Sequence, residues 1–289
     1  ELPHQNVVTW SALIAGYVEH GLGEQAVECF RQMEEEGVSP NEVTYLCVLK
    51  ACAAIGSLEV GEEIHANVRE QGLLKKNIVL GNTIIDMYAK CGALRKAHNV
   101  FEELPQRDVV SWSALISGYV ENKAFDQAVE CYRRMVDEEI IPTPVTFICI
   151  LKACANIGSL EIGEEIQVKI RQQGLLKDNI VLGTTLINMY ATDGLLLEVE
   201  DVFYKLFVRD TISWNALMSV YLKQGYNEES IESYDWMKFD RILPDTTTYV
   251  CILNVCGNVG NIDKGREVHS EILKRSFLEE SFVGNALIS

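Results

Sequence analysis

The chain has 289 residues, 48% of them apolar and only 6 of them proline, which excludes a disordered tail and leaves room for many helices. No apolar run approaches the ~20 residues that span a bilayer, so no membrane association is expected. The net charge of −17 opposes the basic footprint usual in nucleic-acid binders.

At the start, Glu1–Asn6 shows no initiator Met and no signal-peptide pattern; the chain reads as a piece of something longer. Beyond it the sequence repeats itself. Trp10, Trp112 and Trp214 recur at a step of 102 residues, as do Cys52, Cys154 and Cys256, and Gly56, Gly158 and Gly260. Each block divides into three related stretches: 7–41, 42–77 and 78–108, then 109–143, 144–179 and 180–210, then 211–245 and 246–280. Residues 1–6 read as the tail of a third-type stretch and 281–289 as the start of another.

Each stretch reads as two helices. In the first, Trp10, Leu13, Ile14 and Tyr17 share a helical face, a turn follows over 19–23, and Ala26, Phe30 and Met33 form a second stripe. Gly37 and Pro40 close that helix. The second stripe recurs as Ala128, Tyr132, Met135 and as Ser230, Tyr234, Met237. One hairpin cannot bury both stripes; stacking on neighbours does. The expected fold is all-α, a right-handed α-solenoid of stacked helix-turn-helix repeats with its first helices lining the concave face.

The residues 7–17, 25–33 and 37–41 (VVTWSALIAGY, QAVECFRQM, GVSPN) resemble a pentatricopeptide repeat. Tyr45 to Cys52 followed by Gly56 and Gly61 resembles the long variant of that repeat. The run 81–92 (GNTIIDMYAKCG) with Ala97, Val100 and Phe101 resembles the short variant. The resemblance makes 7–41, 109–143 and 211–245 P repeats, 42–77, 144–179 and 246–280 L repeats, and 78–108 and 180–210 S repeats. This order is similar to that of organelle RNA editing factors.

The resemblance implies sequence-specific binding of single-stranded RNA in a mitochondrion or chloroplast, with other RNA-processing or editing proteins as further partners. The second residue of each repeat would flank a base: Val8, Val43, Val79, Val110, Val145, Val181 and Ile212. Helix-entry packing is the competing role for these side chains. The fifth and last residues would select the base. Ser11 with Asn41 implies A, Asn82 with Asp108 implies U, Thr184 with Asp210 implies G, and Asn215 with Asp245 implies U. Ser113 with Thr143 departs from the pattern and implies only a purine. Leu46, Ile148 and Val250 cannot hydrogen-bond a base edge, so the L repeats space rather than read. The implied target is 5′-A-n-U-R-n-G-U-n-3′. Helix capping is the alternative role for Asp108, Asp210 and Asp245.

The acidic residues gather on the second helices, as in Glu24, Glu28, Glu34, Glu35 and Glu36, while Lys50, Lys90 and Lys152 lie on the first. A near-neutral inner face and an acidic back are therefore expected. Nine cysteines with no C-x-x-C spacing read as reduced, packed thiols rather than a metal site. His269-Ser-Glu271 matches half of a zinc deaminase signature with no P-C-x-x-C after it. Gly56 and Gly61 have P-loop spacing, but Glu62 and Glu63 follow instead of Lys-Ser/Thr. No catalysis, cofactor, metal or small-molecule substrate is expected. The alternative function is a tetratricopeptide-like protein-interaction scaffold, which would use a uniform 34-residue unit.

Overall fold

The computed structural model describes residues 6–177 and 179–274. The sequence-expected repeat pieces at 1–5 and 281–289, and the end of 246–280 beyond Lys274, lie outside the described residues. Among those described are sixteen α-helices, one 3-10 turn at Leu73–Lys75, and no strand.

The helices come in pairs. The first of each pair are α1 (Val7–Glu19), α3 (Glu42–Ile55), α5 (Ile78–Lys90), α7 (Val109–Glu121), α9 (Pro144–Ile157), α11 (Ile180–Thr192), α13 (Thr211–Gln224) and α15 (Thr246–Val259). The second are α2 (Gly23–Glu35), α4 (Leu58–Glu70), α6 (Leu94–Glu103), α8 (Phe125–Asp137), α10 (Leu160–Gln172), α12 (Leu196–Lys205), α14 (Asn227–Phe239) and α16 (Ile262–Lys274). A short polar residue starts most first helices. Asn6, Asn41, Asn77, Asp108, Asn179, Asp210 and Asp245 each accept from backbone N–H groups of the first turn, satisfying donors the helix cannot pair itself.

The chain forms two compact units, Glu1–Ala153 and Cys154–Ser289. In the first unit α1, α3, α5 and α7 pack side by side in one layer, and α2, α4 and α6 each bridge their own first helix and the next. In the second unit α11, α13 and α15 form the same kind of layer, with α12 and α14 bridging in the same way. The core sits between the layers. Phe30, Met33, Tyr132, Met135, Tyr234 and Met237 are all buried, and each contributes on the order of 1.5–3 kcal/mol of transfer free energy.

Leu13 departs from the expected apolar stripe: it is 40% exposed, whereas Leu115 and Leu217 at the equivalent positions are buried. Leu115 and Leu217 sit on helices with a first helix packed before them, α5 and α11, while α1 is the first of the described helices. Periodicity marks which residues want cover; a neighbour supplies it.

The P-loop-like glycine spacing has a packing cause. Gly56 ends α3 in the left-handed region at φ 71°, where only Gly is free of a Cβ penalty. Gly61 lies against the Met87 thioether, so any Cβ there would overlap it.

Candidate nucleic-acid interface

Seven of the eight first helices carry an exposed apolar side chain at the same position of their first turn; α15 has Thr247 there. Val8 is 67% exposed, and Val43, Val79, Val110, Val145, Val181 and Ile212 are 54–58% exposed. They are not helix-entry packing residues, since more than half of each side chain meets solvent.

At several of these helix starts, the fold brings together residues far apart in sequence. Asn215 Nδ2 donates to Asp245 Oδ1 at 2.9 Å, and Asn82 Nδ2 reaches Asp108 Oδ1 at 3.4 Å. Ser11 Oγ lies 3.5 Å from Asn41 Oδ1. Ser113 and Thr143 meet only through Thr146, whose hydroxyl is 3.0 Å from the first and 3.2 Å from the second. Thr184 does not join Asp210. Its hydroxyl turns back to the Ile180 and Val181 carbonyls at 3.0 and 3.1 Å, because a threonine in a helix can satisfy itself on the preceding turn.

The capping role of the acids is real and compatible with a second task. Ser111 N donates to Asp108 Oδ1 at 2.8 Å, and Ser213 N and Thr248 N do the same to Asp210 and Asp245 at 2.8 and 2.9 Å. These contacts fall on Oδ1, and a carboxylate has a second acceptor oxygen. Burial works to raise the Asp108 pKa. Hydrogen bonds from the Ser111 backbone and hydroxyl, the Asn82 amide and the Val110 backbone outweigh it and hold the carboxyl below its usual value.

A third residue completes each junction and went unnoticed in the sequence. Thr44, Ser111, Thr146, Ser213 and Thr248 are fully buried hydroxyls, three positions after the last residue of a repeat. Thr248 Oγ1 donates to Asn215 Oδ1 at 2.6 Å and to Asp245 Oδ1 at 2.9 Å; Thr44 Oγ1 is 2.7 Å from Ser11 Oγ. The threonine hydroxyls of Thr44, Thr146 and Thr248 join the fifth residue to the cap, whereas Ser111 and Ser213 bond back only to their own caps. Its signal was legible, since Asn, Asp or Thr followed three residues later by Ser or Thr is a capping-box pattern. Asn77 and Asn179 are followed by Leu80 and Leu182 instead, and these are the junctions whose fifth residues are Leu46 and Ile148. Asn82 Oδ1, which has Ser111 rather than Thr248 near it, is a buried acceptor with no hydrogen-bond partner.

In the second unit these parts enclose a cleft of about 420 Å³, a volume within the usual range for ligand sites. Ile212 and Thr247 line it together with the Asn215–Asp245 pair, and Asn188, Thr192, Ser219 and Lys223 add polar groups.

Charge divides between the layers. The eight first helices carry four acidic and four basic residues, whereas the eight second helices carry 26 acidic and 13 basic. The net charge of −17 therefore belongs mainly to the second helices, and the first helices, which line the cleft of the second unit, are together close to neutral. The thiols are packing groups: burial pushes Cys52 up to about 12 and Cys131 and Cys251 up to about 11, which removes the reactive thiolate. Among the described residues no cluster of His, Cys, Asp and Glu could hold a metal.

Comparison with known proteins agrees with this architecture. The profile of the PPR repeat family matches residues 5–54, 107–156 and 209–258, and that of the PPR repeat matches 82–109, 184–210 and 247–277. The chain is 30% identical over 288 residues to the Arabidopsis thaliana pentatricopeptide repeat-containing protein At4g18520, chloroplastic, covering 99% of this chain and 46% of that protein. It is 32% identical to At2g03380, mitochondrial, of the same plant, covering 95% and 40%. The chain thus spans less than half the length of these relatives. The crystal structure of the pentatricopeptide repeat protein PPR10 from maize matches with a TM-score of 0.83 at 20% identity, over 99% of this chain and 41% of that one. PPR10 in complex with an 18-nt psaJ RNA element matches with a TM-score of 0.79 at the same identity, over 99% and 43%. The chain belongs to the pentatricopeptide repeat family.

Proposed function

We propose that the chain binds single-stranded RNA and selects its bases, serving as a specificity factor for RNA editing or processing in a mitochondrion or chloroplast. One observation carries the reading. The Asn215–Asp245 pair lines a cleft that also takes in the exposed side chains of Ile212 and Thr247, an arrangement suited to a flat base held by its faces and read at its edge. The maize neighbour of the same fold was solved with an RNA element, and relatives named chloroplastic and mitochondrial support the organelle setting.

In this reading Val8, Val43, Val79, Val110, Val145, Val181 and Ile212 flank the bases. Asp108, Asp210 and Asp245 accept from the ring N–H of U or G, while Asn41 donates to the ring nitrogen of A. Asn82 and Asn215 favour a pyrimidine; Ser11, Ser113 and Thr184 favour a purine. The chain supplies recognition, and the chemistry of editing or cleavage comes from another domain or from partner proteins. The near-neutral first helices let RNA approach; the acidic second helices repel it at long range, a repulsion that salt screens, and the few basic side chains on the first helices give a shallow salt dependence.

The test is binding of the purified chain to a short RNA carrying the bases 5′-A-n-U-R-n-G-U-n-3′ and to one with C in place of the first U. Preference for U, inverted by Asp108→Asn, supports base reading. Equal affinity for both RNAs, or none for either, would favour a protein-interaction scaffold instead.

A further inference from the structure

We infer that the outer side of α12 and α14 is a docking surface for a protein partner that presents an apolar segment within a Lys- and Arg-rich surface. Among the described residues the aromatic side chains left exposed are Tyr204, Phe207, Tyr226, Trp236 and Phe239, all within one stretch of 36 residues. Phe207 is 85% exposed and Phe239 76%.

The chain's own repeats act as the control. One period earlier, the positions of Tyr204, Phe207, Trp236 and Phe239 hold Glu102, Pro105, Arg134 and Asp137. There Arg134 Nη2 pairs with Glu102 Oε1 at 2.9 Å across α6 and α8. One period on, that ion pair is exchanged for Tyr204 and Trp236. The next pair is kept, since Arg209 faces Asp240 at 4.0 Å as Arg107 faces Glu138 at 3.5 Å. Loss of one surface pair while its neighbour persists is not explained by folding, because the charged version folds in the same chain. Four large side chains exposed to this degree offer on the order of 600 Å² of apolar area, above what a surface usually leaves uncovered without a use.

Charge selects the occupant. Most cations around the patch are already engaged: Lys205 with Asp201, Lys238 with Glu267 and Glu271, and Arg209 with Asp240; Arg241, exposed beside Phe239, is a single charge against three free carboxylates. Glu228, Glu229 and Glu232 on α14 are exposed and hold no ion pair. Glu228 and Glu232 stand two turns and one turn before Trp236 on the same helical stripe, so the aromatic patch continues into unmet negative charge. A partner with an apolar anchor and a basic rim matches both halves. A second copy of this acidic chain would bring like charge against like.

The test uses the purified chain and an 18-residue amphipathic helical peptide with Leu and Phe on one face and Lys on the other. A version with Glu in place of Lys is the control. The key variant combines Tyr204→Glu with Trp236→Arg, which rebuilds the ion pair of the preceding block and leaves the net charge unchanged; Phe239→Asp is the second variant. The Lys peptide is expected to bind at least about tenfold more tightly than the Glu peptide, and at least about tenfold more tightly to the native chain than to the double variant. Equal binding to native chain and both variants would overturn the inference, as would equal binding of the two peptides. So would self-association in sedimentation velocity that the double variant abolishes, which would assign the face to a second copy.

Discussion

Asp245 separates capping from reading when it is replaced in two ways. Asp245→Ala removes the acceptor for Thr248 N and for Asn215 Nδ2. The lost cap costs about 1 kcal/mol, and the Asn215 amide, on a residue only 7% exposed, is left without its partner at about 1–3 kcal/mol more. The expected destabilisation is therefore about 2–4 kcal/mol. Asp245→Asn keeps an acceptor oxygen in place, and asparagine already caps helices here at Asn6, Asn41, Asn77 and Asn179, so stability should change by less than about 1 kcal/mol. The amide can nevertheless donate where the carboxylate could only accept. Preference opposite this pair should move from U toward C, by roughly the 1–3 kcal/mol that follows from leaving a polar group unmatched. Urea unfolding gives the first quantity, and fluorescence anisotropy with RNAs differing only at that base gives the second. The reasoning fails if Asp245→Asn loses as much stability as Asp245→Ala, or keeps stability and shows no change in base preference.

Three further outcomes follow. Val181→Ala should leave the unfolding free energy within about 0.5 kcal/mol of the native chain, because the residue is 54% exposed, yet weaken RNA binding measurably by anisotropy. Gly118→Ala places a Cβ 2.5 Å from the Ala89 Cβ, and neither side chain has a rotamer that relieves the clash. An overpacking cost of about 1–3 kcal/mol, less about 1 kcal/mol of helix propensity, predicts net destabilisation by urea unfolding, reversed by adding Ala89→Gly. The folded pKa of Asp108 lies below its usual 3.8, so on acidification the unfolded chain takes up the proton first. Its contribution is full above that usual value and is lost as pH falls through the folded value; Asp108→Asn should make the acid loss of stability shallower in pH-dependent unfolding.

Much of the fold was legible because repetition supplies its own alignment. The step from Trp10 to Trp112 to Trp214, the Asn and Asp at helix starts and the stripe of Phe30 and Met33 are local features, and local physics sets helix ends and faces. Other features depended on neighbours. Leu13 has the same sequence surroundings as Leu115 but no first helix packed before it among the described residues, so periodicity could not tell their burial apart. Ser11 and Asn41 could be paired in the sequence through the resemblance, but the Thr44 hydroxyl that joins them shows only when two helix starts are laid side by side. Thr184 carries a reading-type side chain, yet its hydroxyl is captured by its own helix, a competition that spacing does not reveal. The aromatic patch at Tyr204 and Trp236 passes for ordinary apolar content until Glu102 and Arg134 are seen to pair at the same two positions.

The most direct measurement compares the native chain's affinity for 5′-A-n-U-R-n-G-U-n-3′ with its affinity for the same bases in permuted order, at two salt concentrations. Base reading by the paired residues predicts tighter binding of the ordered RNA at both, with the ratio preserved as the salt concentration changes, since salt acts on both RNAs alike. Equal affinities for the two RNAs would contradict it, since charge and stacking alone do not sense the order of bases.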